Sequence, residues 1–151
     1  PIVSLVDEPG FLIGPDAERA GTILHGTEAV LATTESKVPW STIMIRKSFG
    51  VAAAAHYGPD GYVLAWPSAE SGPLPLEGGV AVAFKKEIAS AKNPEAKRKE
   101  LEEKMAKNQS PFPRAEAFSV HEIIDPRETR KYIALWAERI QSQLKASLMN
   151  R

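Results

Sequence analysis

Short apolar runs alternate with longer amphipathic stretches in the first third of the chain. Residues 2–6 form a β-rich run that predicts a buried strand, and the turn cluster Asp7-Glu8-Pro9-Gly10 ends it. Residues 11–14 are predicted to be a loop. Residues 16–36 then have the apolar spacing of one long helix, which Pro15-Asp16 opens. Its inward face is predicted to consist of Ala20, Ile23, Leu24, Thr27, Val30 and Leu31.

The middle of the chain is richer in β-branched residues, alanine, proline and glycine. Residues 40–46 and 62–66 predict two further strands, and the alanine-rich residues 51–56 between them predict a short helix. Prolines and glycines make residues 67–79 irregular. Residues 80–90 predict a single amphipathic helix whose inward face consists of Val82, Ala83, Phe84 and Ile88.

The last third begins with a segment dense in lysine and glutamate. Residues 94–109 predict a solvated helix with i,i+4 ion pairs, and residues 114–119 predict one helical turn. Residues 120–124 predict a fourth strand, and Asp125-Pro126 starts the last helix. Strands that alternate with helices indicate an α/β domain with a parallel sheet. We expect one domain over residues 1–151, with residues 91–118 as a charged helical insertion.

Composition narrows the functional classes. The chain has 151 residues, of which 43% are hydrophobic, and its 19 basic and 19 acidic side chains cancel. Zero net charge gives no support for nucleic-acid binding, and the apolar runs are too short to span a bilayer. There are no cysteines, which excludes disulfides and thiolate metal sites. A cytoplasmic or organelle-matrix enzyme is expected. Because the sequence opens in mid-strand, we also expect an excised fragment or one subunit of a split enzyme.

Side chains that could serve as acids, bases or metal ligands form no recognisable constellation. His25, His56 and His121 show neither a Ser-His-Asp order nor metal-ligand spacing, so a structural role is favoured for each. No metal site is expected. Asp7 and Glu8 follow a strand end, where α/β folds place ligands. They are either catalytic or caps of the turn, and the second interpretation is favoured.

Glycine-containing turns offer a different kind of site. Gly10 with Gly14, and Gly50 with Val51-Ala52, each follow a predicted strand and precede a predicted helix. Such turns point backbone N–H groups out of a helix N-terminus, where an anion or oxyanion can be held. Many α/β proteins have the same turns for packing alone, and the residues by themselves do not decide between the two.

Five segments follow one pattern in order between residues 3 and 130. Residues 7–14 read D-x-P-G-F-x-x-G, residues 18–26 are similar to E-x-x-G-I-I-R-H-G, and residues 38–50 are similar to V-P-x-x-x-V-I-x-R-K-A-Y-G. Residues 65–70 read A-W-P-S-A-E and residues 124–130 read I-D-P-R-x-T-R. Together they resemble the C-terminal half of the biotin-dependent acyl-CoA carboxyltransferases, the family of propionyl-CoA, methylcrotonyl-CoA and acetyl-CoA carboxylases and related decarboxylases.

The resemblance implies a crotonase-like fold, a spiral of ββα units that is incomplete in this chain. It implies transfer of a carboxyl group from carboxybiotin, carried on a separate protein, to the α-carbon of an acyl-CoA. Two enolate-like oxyanions must then be stabilised by peptide N–H groups, one on the biotin ureido ring and one on the thioester. The implied partners are the N-terminal half of a carboxyltransferase, biotin carboxylase and biotin carrier subunits, and further copies in a homo-oligomer.

Carried over by motif, the oxyanion donors would be the N–H groups of Val51 and Ala52 at the Gly50 turn. Gly10, Phe11 and Gly14 would line the adjacent pocket, and Ala54 stands where the family varies a residue that helps to set acyl preference. The small residues 52–55 favour a bulkier or atypical acyl group.

Val51 departs from the family, which has glycine there. If that position needs a positive φ, valine is costly. Val51 therefore keeps open the alternative of a catalytically degenerate structural domain. A decarboxylase that runs the transfer in reverse also stays open, because the same site would serve either direction.

Overall fold

A computed structural model describes residues 1–149 of the chain. Over this range the strands are β1 Ile2–Glu8, β2 Trp40–Phe49, β3 Tyr62–Ala65, β4 Glu70–Gly72 and β5 Glu122–Ile123. The helices are α1 Pro15–Arg19, α2 Thr22–Thr34, α3 Gly50–Ala54, α4 Leu76–Ala83, α5 Lys85–Ser90, α6 Pro94–Gln109, α7 Pro111–Glu116 and α8 Thr129–Met149, and a 3₁₀ turn, Pro126–Glu128, precedes α8.

All strand pairs of the sheet are parallel, as the alternation of strands and helices predicts. The order is β1-β2-β3-β5, and β4 also pairs with β2, beyond the end of β3. The central strand is β2, whose residues Ser41, Thr42, Ile43 and Met44 are all buried. It extends three residues past the predicted end at Arg46, so that Lys47, Ser48 and Phe49 pair with β4 rather than forming a turn.

The core consists of apolar side chains on the two faces of this sheet. One cluster contains Met44, Val63, Ala65, Ala69 and Val120, and the other contains Ile43, Leu64 and Ile124. Helix α8 covers the second cluster with Tyr132 and Ile133. Alternate residues of each strand point to opposite faces, which is why consecutive residues such as Ile43 and Met44 belong to different clusters.

The segment predicted as one helix over residues 16–36 is two helices. Gly21, with φ of 72°, ends α1 and caps α2 in a left-handed conformation that glycine adopts without strain. The predicted inward face of this helix is wrong, because Ile23, Leu24 and Leu31 are 67%, 62% and 56% exposed. The buried positions of α2 are Gly26 and Thr33.

Strand β1 is also less buried than its apolar run predicts. It is an edge strand, and only Val6 among its residues is buried, whereas Leu5 is 56% exposed. Its exposed residues and those of α2 leave apolar surface uncovered in this chain.

The predictions for residues 67–90 need two corrections. Residues 67–79 are not wholly irregular, since they contain β4 and the start of α4. Residues 80–90 are not one helix, because the chain leaves helical geometry at Phe84, where φ is −111°, before α5 begins. Val82 and Ala83, predicted to face inward, are exposed, Val82 by 77%, whereas Val80 of α4 is fully buried.

Helix α6 has the predicted bounds, and its basic side chains form ion pairs with its glutamates, as in Arg98–Glu102 and Lys97–Glu100. It contacts α4, α5 and β4, and it buries Leu101 and Gln109. Whether residues 91–118 are an insertion stays a prediction.

Candidate functional site

The carboxyl end of β2 is held to β1 by one acidic side chain. Asp7 accepts hydrogen bonds from Arg46 Nε at 3.1 and 3.0 Å and from the backbone N–H of Lys47 at 3.2 Å. The Arg46 guanidinium holds the pKa of the Asp7 carboxyl below its usual value. Because β1 and β2 are parallel and Glu8 is the register partner of Ser48, the loops that follow the two strands begin side by side at the carboxyl end of the sheet.

The chain turns at Gly50 and enters α3 directly. Gly50 has a φ of 63°, and a Cβ added there would lie 3.4 Å from the carbonyl oxygen of Pro73. Glycine is therefore required by conformation more than by lack of space. The first-turn N–H groups of a helix have no intrahelical acceptor, so those of Gly50, Val51 and Ala52 need acceptors from outside α3.

Val51 does not carry the strain that its departure from the family pattern suggested. Among residues 1–149, the non-glycine residues with positive φ are Asp60 and Phe118, so valine fits the backbone of residue 51. Its side chain is 65% exposed, and Ala54, one turn later, is exposed as well. Ala52 and Ala53 are buried, so the exposed side chains of α3 are those of Val51 and Ala54, beside the exposed backbone of Gly50.

The other end of α3 is fixed by side chains from neighbouring elements. Thr33 of α2 donates to the carbonyl of Ala55 at 2.9 Å. Trp40 Nε1 and Thr42 Oγ1, both on β2, donate to the carbonyl of His56 at 2.9 and 2.7 Å. These bonds satisfy carbonyls that the end of a helix leaves without partners, so α3 is short but well anchored.

The loop after β1 packs on α2. The carboxylate of Glu8 accepts a 2.9 Å hydrogen bond from the N–H of Gly10, which is the turn-capping alternative for this residue. Phe11 lies directly over Gly26, where an added Cβ would come 2.2 Å from its ring. Gly10 and Gly14 have φ of 129° and 108°, with nothing within 4 Å of an added Cβ. Both glycines are needed for their backbone conformation and leave open space beside them.

Each histidine has a hydrogen-bond partner within this chain, which explains its position without a catalytic role. His25 meets Glu28 at 3.2 Å on the exposed surface of α2. His56 shares a 3.1 Å hydrogen bond with Ser4. His121 Nδ1 accepts from the N–H of Val63 at 3.0 Å, and its ring packs against Tyr62. These contacts agree with the structural roles that the sequence favours.

Two of the sequence motifs meet in space. Trp66 of the A-W-P-S-A-E segment donates from Nε1 to the hydroxyl of Thr129, at 2.9 Å, in the I-D-P-R-x-T-R segment. Trp66, Ser68 and Glu70 also line an open surface groove with Arg46 and Lys47. The two segments thus fix the start of α8 against the end of β3.

Contacts near the Gly50 turn include two that sequence reasoning missed. Ser48 Oγ and Tyr57 OH are 2.7 Å apart, and burial raises the pKa of Tyr57. Gln109, at the end of the charged helix α6, is buried against β4. No local sequence pattern indicates the contact between Ser48 and Tyr57, which lie on either side of α3. None indicates the burial of Gln109 either, because β4 is distant from it in sequence.

Within residues 1–149, no three His, Cys, Asp or Glu side chains are grouped so that they could hold a metal ion. No helix in the same range has the length and apolar character needed to cross a membrane.

Comparison with known families gives one match over nearly the whole chain. The model of the carboxyl transferase domain family matches residues 1–150. The methylmalonyl-CoA carboxyltransferase 12S subunit of Propionibacterium freudenreichii subsp. shermanii is 41% identical over 138 residues, which cover 89% of this chain and 26% of that protein. The carboxyltransferase subunit of propionyl-CoA carboxylase from Haloferax mediterranei is 36% identical over 151 residues, 97% of this chain and 29% of that protein. The chain thus spans between a quarter and a third of the length of these curated relatives.

Solved structures give the same picture. The transcarboxylase 12S crystal structure, a hexamer assembly with methylmalonyl-coenzyme A and methylmalonic acid bound, has a TM-score of 0.81 at 39% identity and covers 93% of this chain and 28% of that one. The β subunit of geranyl-CoA carboxylase from P. aeruginosa has a TM-score of 0.80 at 22% identity, over 90% of this chain and 27% of that one, which shows the fold alone. The expected crotonase-like α/β fold is confirmed for the part that this chain contains.

Proposed function

The chain belongs to the carboxyl transferase domain family, and on that premise we propose that it forms half of an active site for carboxyl transfer between carboxybiotin and an acyl-CoA. The observation that carries the proposal is Gly50. Its positive φ turns the chain from the end of β2 into α3, at the end of the sheet where the loop after β1 also begins. The first-turn N–H groups of α3 have no acceptor within the helix, which supports their role as donors to a substrate oxygen.

The N–H groups of Val51 and Ala52 are the proposed catalytic groups. Carboxyl transfer moves negative charge onto a carbonyl oxygen of the substrates, and fixed backbone donors stabilise that charge without reorganising. Loss of one such donor typically lowers kcat by about 10²–10³-fold. This mechanism needs no side-chain nucleophile or metal ligand, in keeping with the local partners of the histidines.

The adjacent pocket is proposed to be lined by Gly10, Phe11, Gly14 and Ala54. Exposure of Ala54 and the open space beside the two glycines support this assignment. The buried Ala52 and Ala53 lend no side-chain surface, so the exposed side chain of Val51, with that of Ala54, sets how apolar and how wide the α3 side of the pocket is.

Biotin on a separate carrier protein and an acyl-CoA are the proposed cofactor and substrate. Gly50 is exposed at the start of α3, which supports close approach of a planar group to the backbone, and carboxybiotin bound there would supply the carboxyl group. The N-terminal half of a carboxyltransferase is proposed to supply the other oxyanion donors. This chain covers 26% of the methylmalonyl-CoA carboxyltransferase 12S subunit, so most of that relative's length has no counterpart here and could carry the other donors.

Further proposed partners are biotin carboxylase, the biotin carrier subunit and other copies in a homo-oligomer. The hexamer described for the transcarboxylase 12S subunit supports an oligomer. The exposed apolar residues Ile23, Leu24 and Leu31 of α2 are suited to burial against such polypeptide. No nucleic-acid or membrane partner is proposed. The compartment is proposed to be the cytoplasm or the mitochondrial matrix, the second because a relative in Homo sapiens is named as mitochondrial.

A decarboxylase is the second candidate, because the methylmalonyl-CoA decarboxylase subunit alpha of Propionigenium modestum is 37% identical over 138 residues. The same backbone site serves either direction, and the coupled reaction sets which one runs.

The test is to purify the assembly that contains this chain and to supply ATP, bicarbonate and acyl-CoAs of increasing chain length. Formation of carboxylated acyl-CoA supports the carboxylase. The decarboxylase is supported if the assembly removes the carboxyl group from a carboxylated acyl-CoA but forms no carboxylated acyl-CoA from ATP, bicarbonate and acyl-CoA. If neither reaction occurs, the proposal is wrong. Carboxylation of acetyl-CoA and propionyl-CoA alone would reject a preference for bulkier acyl groups.

A further inference from the structure

Gln109 lies at the carboxyl end of α6 and reaches away from solvent. Its side chain is 4% exposed, unlike most of the surrounding lysines and glutamates of the helix. Gln109 Nε2 donates to the carbonyl oxygen of Leu74 at 2.9 Å, in the segment between β4 and α4. Gln109 Oε1 is buried and has no hydrogen-bond partner among the described protein atoms. Burying an unpaired oxygen costs free energy, so this amide is kept inside at some expense to stability.

The segment that Gln109 holds lies against the Gly50 turn. Gly72 pairs with Phe49, the residue before α3. A Cβ added to Gly72 would lie 3.6 Å from the Phe49 ring and 3.7 Å from Gln109 Cγ, so both side chains lie over the Gly72 backbone. One residue further on, the carbonyl oxygen of Pro73 is 3.4 Å from an added Cβ at Gly50. Residues 72–74 are therefore layered between Gln109 and the turn.

We propose that Gln109 is a positioning residue for the first turn of α3. Its amide fixes residues 72–74, and these residues limit where the N–H groups of Val51 and Ala52 can lie. This proposal rests on the proposed function for its catalytic consequence, whereas its structural consequence is independent of the reaction. The charged helix α6 thereby acquires a role at the candidate site, which its lysines and glutamates do not suggest.

The test uses Gln109→Leu, which keeps the bulk and removes the donor. The matched control is Asn108→Leu, a change at the neighbouring, exposed position of the same helix. In the 151-residue chain, backbone ¹⁵N order parameters should fall from about 0.85 to below about 0.6 for the amides of residues 50–52 in Gln109→Leu, and should not change in the control. The unfolding midpoint should stay close to that of the unchanged chain, because the variant also removes the unpaired Oε1.

In the assembly, Gln109→Leu should lower kcat for carboxyl transfer about tenfold and leave KM for the acyl-CoA unchanged, since the donors act on charge that develops in the transition state. A purely structural role would instead lower the unfolding midpoint and the amount of active enzyme. Unchanged order parameters in Gln109→Leu, or an equal change in the control, would overturn the proposal. If the unchanged assembly transfers no carboxyl group, the proposed function fails, and the order parameters alone then decide the role of Gln109.

Discussion

Replacing Gly50 with alanine should lower both stability and carboxyl transfer, whereas the same change at Gly21 should lower stability alone. The two glycines have similar left-handed backbones, with φ of 63° and 72°. Alanine in that conformation costs about 1–2 kcal/mol. An added Cβ is in ordinary contact at both sites, 3.4 Å from Pro73 O and 3.7 Å from His25 Nε2, so steric overlap adds little.

The two variants should therefore unfold at similarly lowered temperatures. For a domain of this size, each kcal/mol shifts the midpoint by about 2–4 °C, which gives a decrease of about 2–8 °C for each change. Thermal unfolding of the chain followed by circular dichroism measures this shift.

Activity separates the two sites. Relief of strain in Gly50→Ala tilts the first turn of α3 and displaces its N–H groups, so kcat in the assembly should fall about tenfold or more. Gly21→Ala affects the junction of α1 and α2 and should leave kcat close to that of the unchanged protein. The reasoning is refuted if Gly50→Ala is as stable as the unchanged chain, or if Gly21→Ala loses as much activity.

Three further changes test the contacts around the site. Asp7→Asn should cost about 0.5 kcal/mol near neutral pH, since its ion pair with Arg46 is largely exposed. Because the folded-state pKa of Asp7 is lowered, its contribution is complete above the unfolded value of 3.8 and is lost as the pH falls through the lower folded value, so denaturation curves of the two proteins should converge in acid. Gly26→Ala should displace Phe11 at a cost of about 1–3 kcal/mol, and adding Phe11→Ala should recover part of it; additive losses in denaturant titrations would argue against the contact. Phe118→Gly should raise the free energy of unfolding by roughly 0.5–1 kcal/mol, because Phe118 is 90% exposed and its φ of 57° is unfavourable for a residue with a side chain. An unfolding midpoint at or below that of the unchanged chain would contradict this.

The sequence predicts strands β1, β2, β3 and β5 and the Gly50 turn, though not β4, because these features depend on local chemistry. The β-branched residues of β2 have few alternatives to a strand, and a glycine after a strand and before an alanine run favours a turn into a helix. The prediction for α2 was wrong for a reason that is also physical. Its outward side is as apolar as a core face, so periodicity finds an apolar stripe without showing whether this chain buries it.

Contacts between distant segments cannot be predicted from one sequence. Gln109 lies among charged residues that indicate a solvated helix, and only the packing of α6 on β4 shows that its side chain is buried. Glycines are similarly ambiguous in sequence. Gly50 is needed for its positive φ, whereas Gly26 is needed because the Phe11 ring lies on it.

The central claim is that the N–H groups of the first turn of α3 act in carboxyl transfer. Replacing the amide of Ala52 with an ester removes its N–H and keeps the side chain. The matched control is an ester at Leu24, which holds the equivalent position in the first turn of α2. In the reconstituted assembly, kcat should fall about 10²–10³-fold with the ester at Ala52 and stay nearly constant with the ester at Leu24. Unchanged carboxyl transfer with the ester at Ala52 would contradict the account.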